Sequence, residues 1–197
     1  MAILATSKYL NTVSVVVALA GIPSKGSTSS PEFFRSIAGL GVQAASALDH
    51  AHEVGILHRD VKPSNLLLDE SGKLWITDSG LAQVQSDPGM TMTGDLLGTT
   101  RYMSPEQAMA KRIPVDHRTD IYSLGVTLYE LATLHHAFTG EDRQEVLRQI
   151  AFEEPRAPRR VNTAMPAELE TIILKCISKS PADRYDSAQE LADDLQR

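Results

Sequence analysis

The sequence predicts a mainly α-helical domain with one small β-hairpin. Three features point there. An apolar stripe recurs at steps of three and four through Phe33, Ile37, Leu40, Ala44, Leu48 and Ala51. The stretch Thr119 to Leu134 is apolar nearly all round a helix. Only one pair of short apolar runs, Leu66-Leu67-Leu68 and Leu74-Trp75-Ile76, flanks a turn signal. Helical and strand periods of 3.6 and 2 separate these patterns.

Along the chain, Val13 to Ala20 is apolar, follows Lys8, and contains Ala18-Leu19-Ala20, which imitates a signal-peptidase site. It is too short to cross a bilayer as a helix. Gly21 to Ser30, rich in Gly, Ser and Pro, reads as a linker, so residues 1–30 form a segment distinct from the domain at 31–197. Ser30-Pro31 combines an N-cap serine with proline at the first helical position, and Gly55 closes the helix that follows. Asp69-Glu70-Ser71-Gly72 supplies the hairpin turn. Residues 79–103 carry no periodicity, and a loop that long inside a compact domain is usually functional or disordered. The helix over Thr119–Leu134 is expected to be buried on every side. Leu169, Ile172, Ile173, Cys176 and Ile177 mark another amphipathic helix. Ser187-Ala188-Gln189-Glu190 is a capping-box sequence opening a last helix with Leu191 and Leu195. There is no internal repeat.

A net charge of -6 spread along the chain argues against non-specific binding to nucleic acid or anionic membranes. The single cysteine, Cys176, lies in an apolar run, reads as a small buried hydrophobe and allows no internal disulfide, which fits a reducing compartment. The histidines suggest no metal site. His50 and His52 do not share a helix face, and His135-His136 lies past a helix end, where solvation is expected.

The chemistry concentrates in His58-Arg59-Asp60-Val61-Lys62-Pro63-Ser64-Asn65, which matches the H-R-D-x-x-x-x-N catalytic loop of protein kinases without a gap. Asp78-Ser79-Gly80 follows in the place of D-F-G, and Ser104-Pro105-Glu106 stands where A-P-E belongs. Their order and spacing are far more specific than any one of them. From about Pro31 to its end the chain resembles the C-terminal lobe of a bacterial-type serine/threonine protein kinase, whose parent fold is α+β. The catalytic loop would be 58–65 and the activation segment 78–106.

The resemblance implies transfer of the γ-phosphate of ATP to protein Ser/Thr hydroxyls, with Mg²⁺ as cofactor and a cytoplasmic setting. Phosphoryl transfer needs in-line positioning and charge neutralisation more than covalent work by the protein. By the resemblance, Asp60 would accept or orient the hydroxyl proton, and Lys62 would sit beside the transferring phosphoryl group. Asn65 and Asp78 would bind Mg²⁺ through oxygen. Lys62, Ser64, Asn65, Leu67 and Asp78 would contact the nucleotide, with Leu67 as the floor under adenine. Thr99 would bond to Asp60 and Lys62. Arg59 would pair with an activation-loop phosphate, for which Thr91 and Thr93 are the candidate sites. Asp120 would brace the catalytic-loop backbone, and Glu106 with Arg184 would form a buried ion pair.

The family's other lobe has no counterpart among residues 1–57: no Gly-rich strand-turn, no strand lysine and no partner glutamate on a helix. A five-stranded sheet at ~5–6 residues per strand plus an ~11-residue helix needs about 40 residues before loops. Only 30 residues precede the first helix. The expected fold is therefore a kinase-like C-terminal lobe with the N-terminal lobe largely missing. Ser79 replaces the phenylalanine that packs between the lobes, consistent with that loss. Gly39-Leu40-Gly41-Val42-Gln43-Ala44 spells a dinucleotide fingerprint, but inside a helical stripe; Gly21 to Thr28 spells a P-loop without its lysine. Two functions follow from different classes. One is a protein kinase, weak or inactive as this chain alone. The other is a non-catalytic, pseudokinase-like module that binds a partner. The missing lobe also implies a partner that supplies or covers its face.

Overall fold

Ser30 starts the first helix of the described residues as the sequence predicts: its Oγ accepts the Phe33 amide at 3.2 Å, and Pro31 occupies the first turn. This helix, α1 (Pro31–Glu53), buries Phe33, Phe34, Ile37, Leu40, Ala44, Ala45 and Leu48 on one face. Gly55 ends it with φ +78°, a left-handed conformation that glycine adopts without a Cβ penalty. The computed structural model describes residues 28–69, 71–77, 98–109 and 115–197 of the chain.

A 3₁₀ turn, Pro63–Asn65, leads into the antiparallel hairpin of β1 (Leu66–Leu68) and β2 (Leu74–Ile76). Leu66 pairs with Ile76, Leu67 with Trp75 and Leu68 with Leu74. The turn is organised by Asp69, whose Oδ1 accepts the Ser71 and Lys73 amides and the Ser71 hydroxyl, while Oδ2 accepts the Trp75 indole N–H. Those donors hold the Asp69 carboxyl well below the usual carboxylate range, led by the Ser71 hydroxyl. A three-residue hairpin is marginal alone. Here Gln43 of α1 anchors it, its Oε1 accepting the Leu74 amide at 2.9 Å and its Nε2 donating to the Gly72 carbonyl at 3.2 Å.

The remaining described elements are helical: α2 (Pro105–Ala108), α3 (Arg118–Thr133), α4 (Arg143–Phe152), α5 (Pro158–Val161), α6 (Ala167–Cys176), a 3₁₀ turn at Pro181–Asp183, and α7 (Ala188–Gln196). Every residue of α3 from Thr119 to Thr133 is buried, as a helix apolar nearly all round requires. It is the axis of the domain, packed by α1, α5, α6 and α7. Close approach to α6 depends on Gly125, where a Cβ would lie 2.4 Å from Cys176 Cβ. Cys176 is fully buried, and burial raises its thiol well above the ordinary range. The fold is thus mainly α with a two-stranded sheet.

At α7 the cap differs in one detail from the expected capping box. Ser187 Oγ accepts the Glu190 amide at 3.1 Å, but Glu190 returns to the Asp186 amide rather than to Ser187. His135 and His136 are exposed past α3, as expected, although His136 Nδ1 also lies 3.1 Å from Glu130. Among the described residues no helix is long and apolar enough to cross a membrane.

Candidate active site

The site grows from the segment between α1 and the hairpin. Residues 56–62 form no regular element, so their conformation must be imposed from outside. Asp120, in the first turn of α3 and fully buried, does much of this. Its Oδ1 accepts the Arg59 amide at 2.7 Å, and its Oδ2 accepts the His58 amide and the His52 ring, each at 2.9 Å. A carboxylate can only accept, so His52 Nε2 carries the proton in that contact. Arg59 is held at φ +66°, a left-handed backbone costing roughly 1–2 kcal/mol for a residue with a Cβ. Charge-assisted bonds donated by two successive amides to one buried carboxylate can sustain that strain.

His58 continues the frame. Its Nδ1 accepts the Asp60 amide at 3.4 Å and its Nε2 donates to the Thr77 carbonyl at 3.2 Å, linking the 58–65 loop to the end of β2. The Thr77 amide and hydroxyl both donate to the Asn65 carbonyl, at 2.8 and 3.2 Å, so the two ends of the hairpin stay together beneath the loop.

Within this frame four of the sequence-predicted residues meet. Asp60 Oδ2 lies 2.9 Å from Lys62 Nζ and 3.1 Å from Asn65 Nδ2. Asn65 Nδ2 also donates to the Asp60 carbonyl at 2.6 Å, and Lys62 Nζ donates to Thr99 Oγ1 at 2.9 Å. Asp60 and Lys62 are 15% and 13% exposed, sheltered but open to a reactant. Asn65 is buried. Its amide nitrogen is committed to Asp60, so oxygen is the atom it could present to a hard cation, which suits the Mg²⁺ preference for oxygen donors. Asp78, Ser79, Thr91 and Thr93 lie outside the described residues.

The other expected positions sit nearby. Arg59 and Ser64 are exposed. Leu67 is 51% exposed and directly paired with Trp75, 52% exposed, so the two side chains stand on one face of the hairpin. Arg184 and Glu106 form a bidentate ion pair at 2.7 and 2.8 Å with both side chains inaccessible, tying α2 to the turn before α7.

Sequence patterns assign no part in this frame to Gln107, and consider His52 only as a metal ligand. His52 follows Leu48 by four residues and so continues the buried face of α1, a signal that it points inward. Ser104-Pro105-Glu106-Gln107 is itself a capping-box sequence.

A family model for the protein kinase domain matches residues 21–195. A probable serine/threonine-protein kinase of Streptomyces coelicolor is 41% identical over 152 residues, covering 76% of this chain and 22% of the relative. One of Clostridium perfringens is 39% identical over 158 residues, covering 80% and 23%. The serine/threonine-protein kinase PknB of Mycobacterium tuberculosis is 39% identical over 156 residues, covering 78% and 25%. The chain thus spans a quarter or less of the length of these curated relatives. With a catalytic loop of matching sequence, and a kinase-domain match running through nearly all of it, the chain belongs to the protein kinase family, on the bacterial serine/threonine side that these relatives represent.

Proposed function

We propose that this chain is the substrate-binding lobe of an ATP-dependent serine/threonine protein kinase. The observation that carries the reading is the convergence of Lys62 Nζ and Asn65 Nδ2 on Asp60 Oδ2, with Thr99 Oγ1 accepting from the same Lys62 amine. Asp60 orients a protein hydroxyl and takes its proton as the oxygen attacks the terminal phosphorus of ATP, whose bond to the bridging oxygen breaks so that ADP leaves; positioned proton transfer of this kind is typically worth ~10²–10⁴-fold. Lys62, steered by Thr99, places its charge where negative charge gathers on the transferring group. Asn65 and Asp78 are the oxygen donors that would hold Mg²⁺, which neutralises phosphate charge when bound. Arg59 receives an activation-loop phosphate, with Thr91 or Thr93 as the acceptor. A cytoplasmic setting follows from the dependence on ATP.

Leu67 is the floor for adenine, and it covers the base from one side only. Transfer by this chain alone is accordingly weak. The exposed Leu67–Trp75 pair favours a partner that covers this face in the manner of a kinase N-terminal lobe. It also gives specific support to a second reading, an interaction module without catalysis. A radiolabelled-phosphate assay on a generic protein substrate separates the two. Turnover that Asp60→Asn abolishes supports the enzyme. No turnover by the wild type, alone or with an added kinase N-terminal lobe, leaves the module.

A further inference from the structure

Gln107 joins two parts of the molecule that are far apart in sequence. It is the third residue of α2, and its Oε1 accepts the Ser104 amide at 2.9 Å while its own amide donates to Ser104 Oγ at 3.3 Å. That is the reciprocal cap of the helix. The same side chain spends its other end elsewhere: Nε2 donates to the Arg59 carbonyl at 3.1 Å. This carbonyl belongs to the peptide unit whose nitrogen is that of Asp60.

The peptide units around Arg59 are therefore gripped from several sides. Asp120 holds the Arg59 amide from α3, Gln107 holds the Arg59 carbonyl from α2, and His58 Nδ1 receives the Asp60 amide. Arg59 is left-handed at φ +66°, so without these bonds the residue relaxes toward the ordinary right-handed or extended regions. Such a rotation would swing Asp60 away from Lys62 and Asn65.

We infer that Gln107 is a positioning residue for Asp60, coupling the Ser104-Pro105-Glu106 helix cap to the orientation of the catalytic-loop carboxylate. Its catalytic consequence rests on the proposed kinase function; its grip on the backbone does not.

Gln107→Glu separates the two jobs of the side chain. Glutamate still accepts the Ser104 amide and completes a capping box, but it cannot donate to the Arg59 carbonyl. In the full chain, the carboxylate's favourable charge in the first turn of α2 offsets the lost bond, and the expected result is a thermal midpoint close to that of the wild type. The Arg59 carbonyl ¹³C resonance moves, and amide exchange at Asp60 speeds roughly three- to tenfold, the size of one net hydrogen bond. Under assay conditions in which the wild type transfers phosphate, kcat falls by a similar factor with KM for the protein substrate unchanged. Gln107→Ala, which removes both jobs, adds a fall in midpoint. Wild-type exchange and carbonyl shift in Gln107→Glu overturn the inference. So does faster exchange with kcat unaltered, or an equal acceleration at the buried Leu128 amide, which marks general destabilisation. A wild type with no transfer refutes the kinase function instead, and the exchange and carbonyl data then decide the role of Gln107 on their own.

Discussion

The Glu106–Arg184 pair is the sharpest place to test how this lobe is held together. Arg184 makes five hydrogen bonds: two to Glu106 at 2.7 and 2.8 Å, and one each to the carbonyls of Ser178 at 2.8 Å, Arg118 at 3.0 Å and Lys179 at 3.2 Å. The Arg184 and Glu106 side chains are 0% and 1% exposed. Replacing Arg184 with Met strands a buried carboxylate, and replacing Glu106 with Met strands a buried guanidinium. Each single change is expected to cost ~3–5 kcal/mol. Against a typical stability of ~5–15 kcal/mol that is a large share. With a urea slope of about 2 kcal/mol/M, the midpoint should drop by roughly 1.5–2.5 M. The double variant should cost at least ~2 kcal/mol less than the sum of the singles, because no charge is then left unpaired in the interior. Urea titrations of the four proteins by circular dichroism give the cycle directly. Single substitutions costing under about 1 kcal/mol, or strictly additive costs, would refute the reasoning.

Two further outcomes follow from packing and from titration. Gly125→Ala places a Cβ 2.4 Å from Cys176 Cβ and 2.9 Å from Ile177 Cγ2, between two buried helices, and should lower stability by ~1–3 kcal/mol in the same titration. Lys179 is pushed down to about 8, chiefly by burial, while its amine donates to the Ile150 carbonyl at 2.8 Å. Its folded pKa lies below its unfolded one, so the folded state binds fewer protons between about pH 8 and 10.5. Stability contributed by this group therefore rises with pH across that window, and the burial penalty is fully present below it. In Lys179→Met that rise should vanish, read as the difference in urea midpoints between variant and wild type at pH 7 and pH 10. An unchanged difference at both pH values would refute it.

Much of the helical framework was legible because its signals are local. The Ser30-Pro31 start, the Phe33–Leu48 stripe, the Gly55 stop and the all-round apolar run of α3 each depend on neighbours three or four residues away. The hairpin was legible for the same reason, since a turn and two flanking apolar runs lie within eleven residues. What stayed hidden was polar and long-range. The buried Thr119, Ser123 and Glu130 on α3, within a helix read as apolar, find partners in Ser104 and Tyr102 that periodicity does not reveal.

By itself the sequence determined the residue types at 58–65 and their order, hence the family to which the chain belongs. Only the tertiary structure decided their posture. Asp120 reaches Arg59 across 61 positions and Gln107 reaches it across 48, and no spacing rule announces either contact. The physical reason is strain: a left-handed Arg59 is unfavourable in any isolated segment, so the conformation that aims Asp60 at Lys62 and Asn65 exists only once buried helices from elsewhere in the chain supply the hydrogen bonds that hold it.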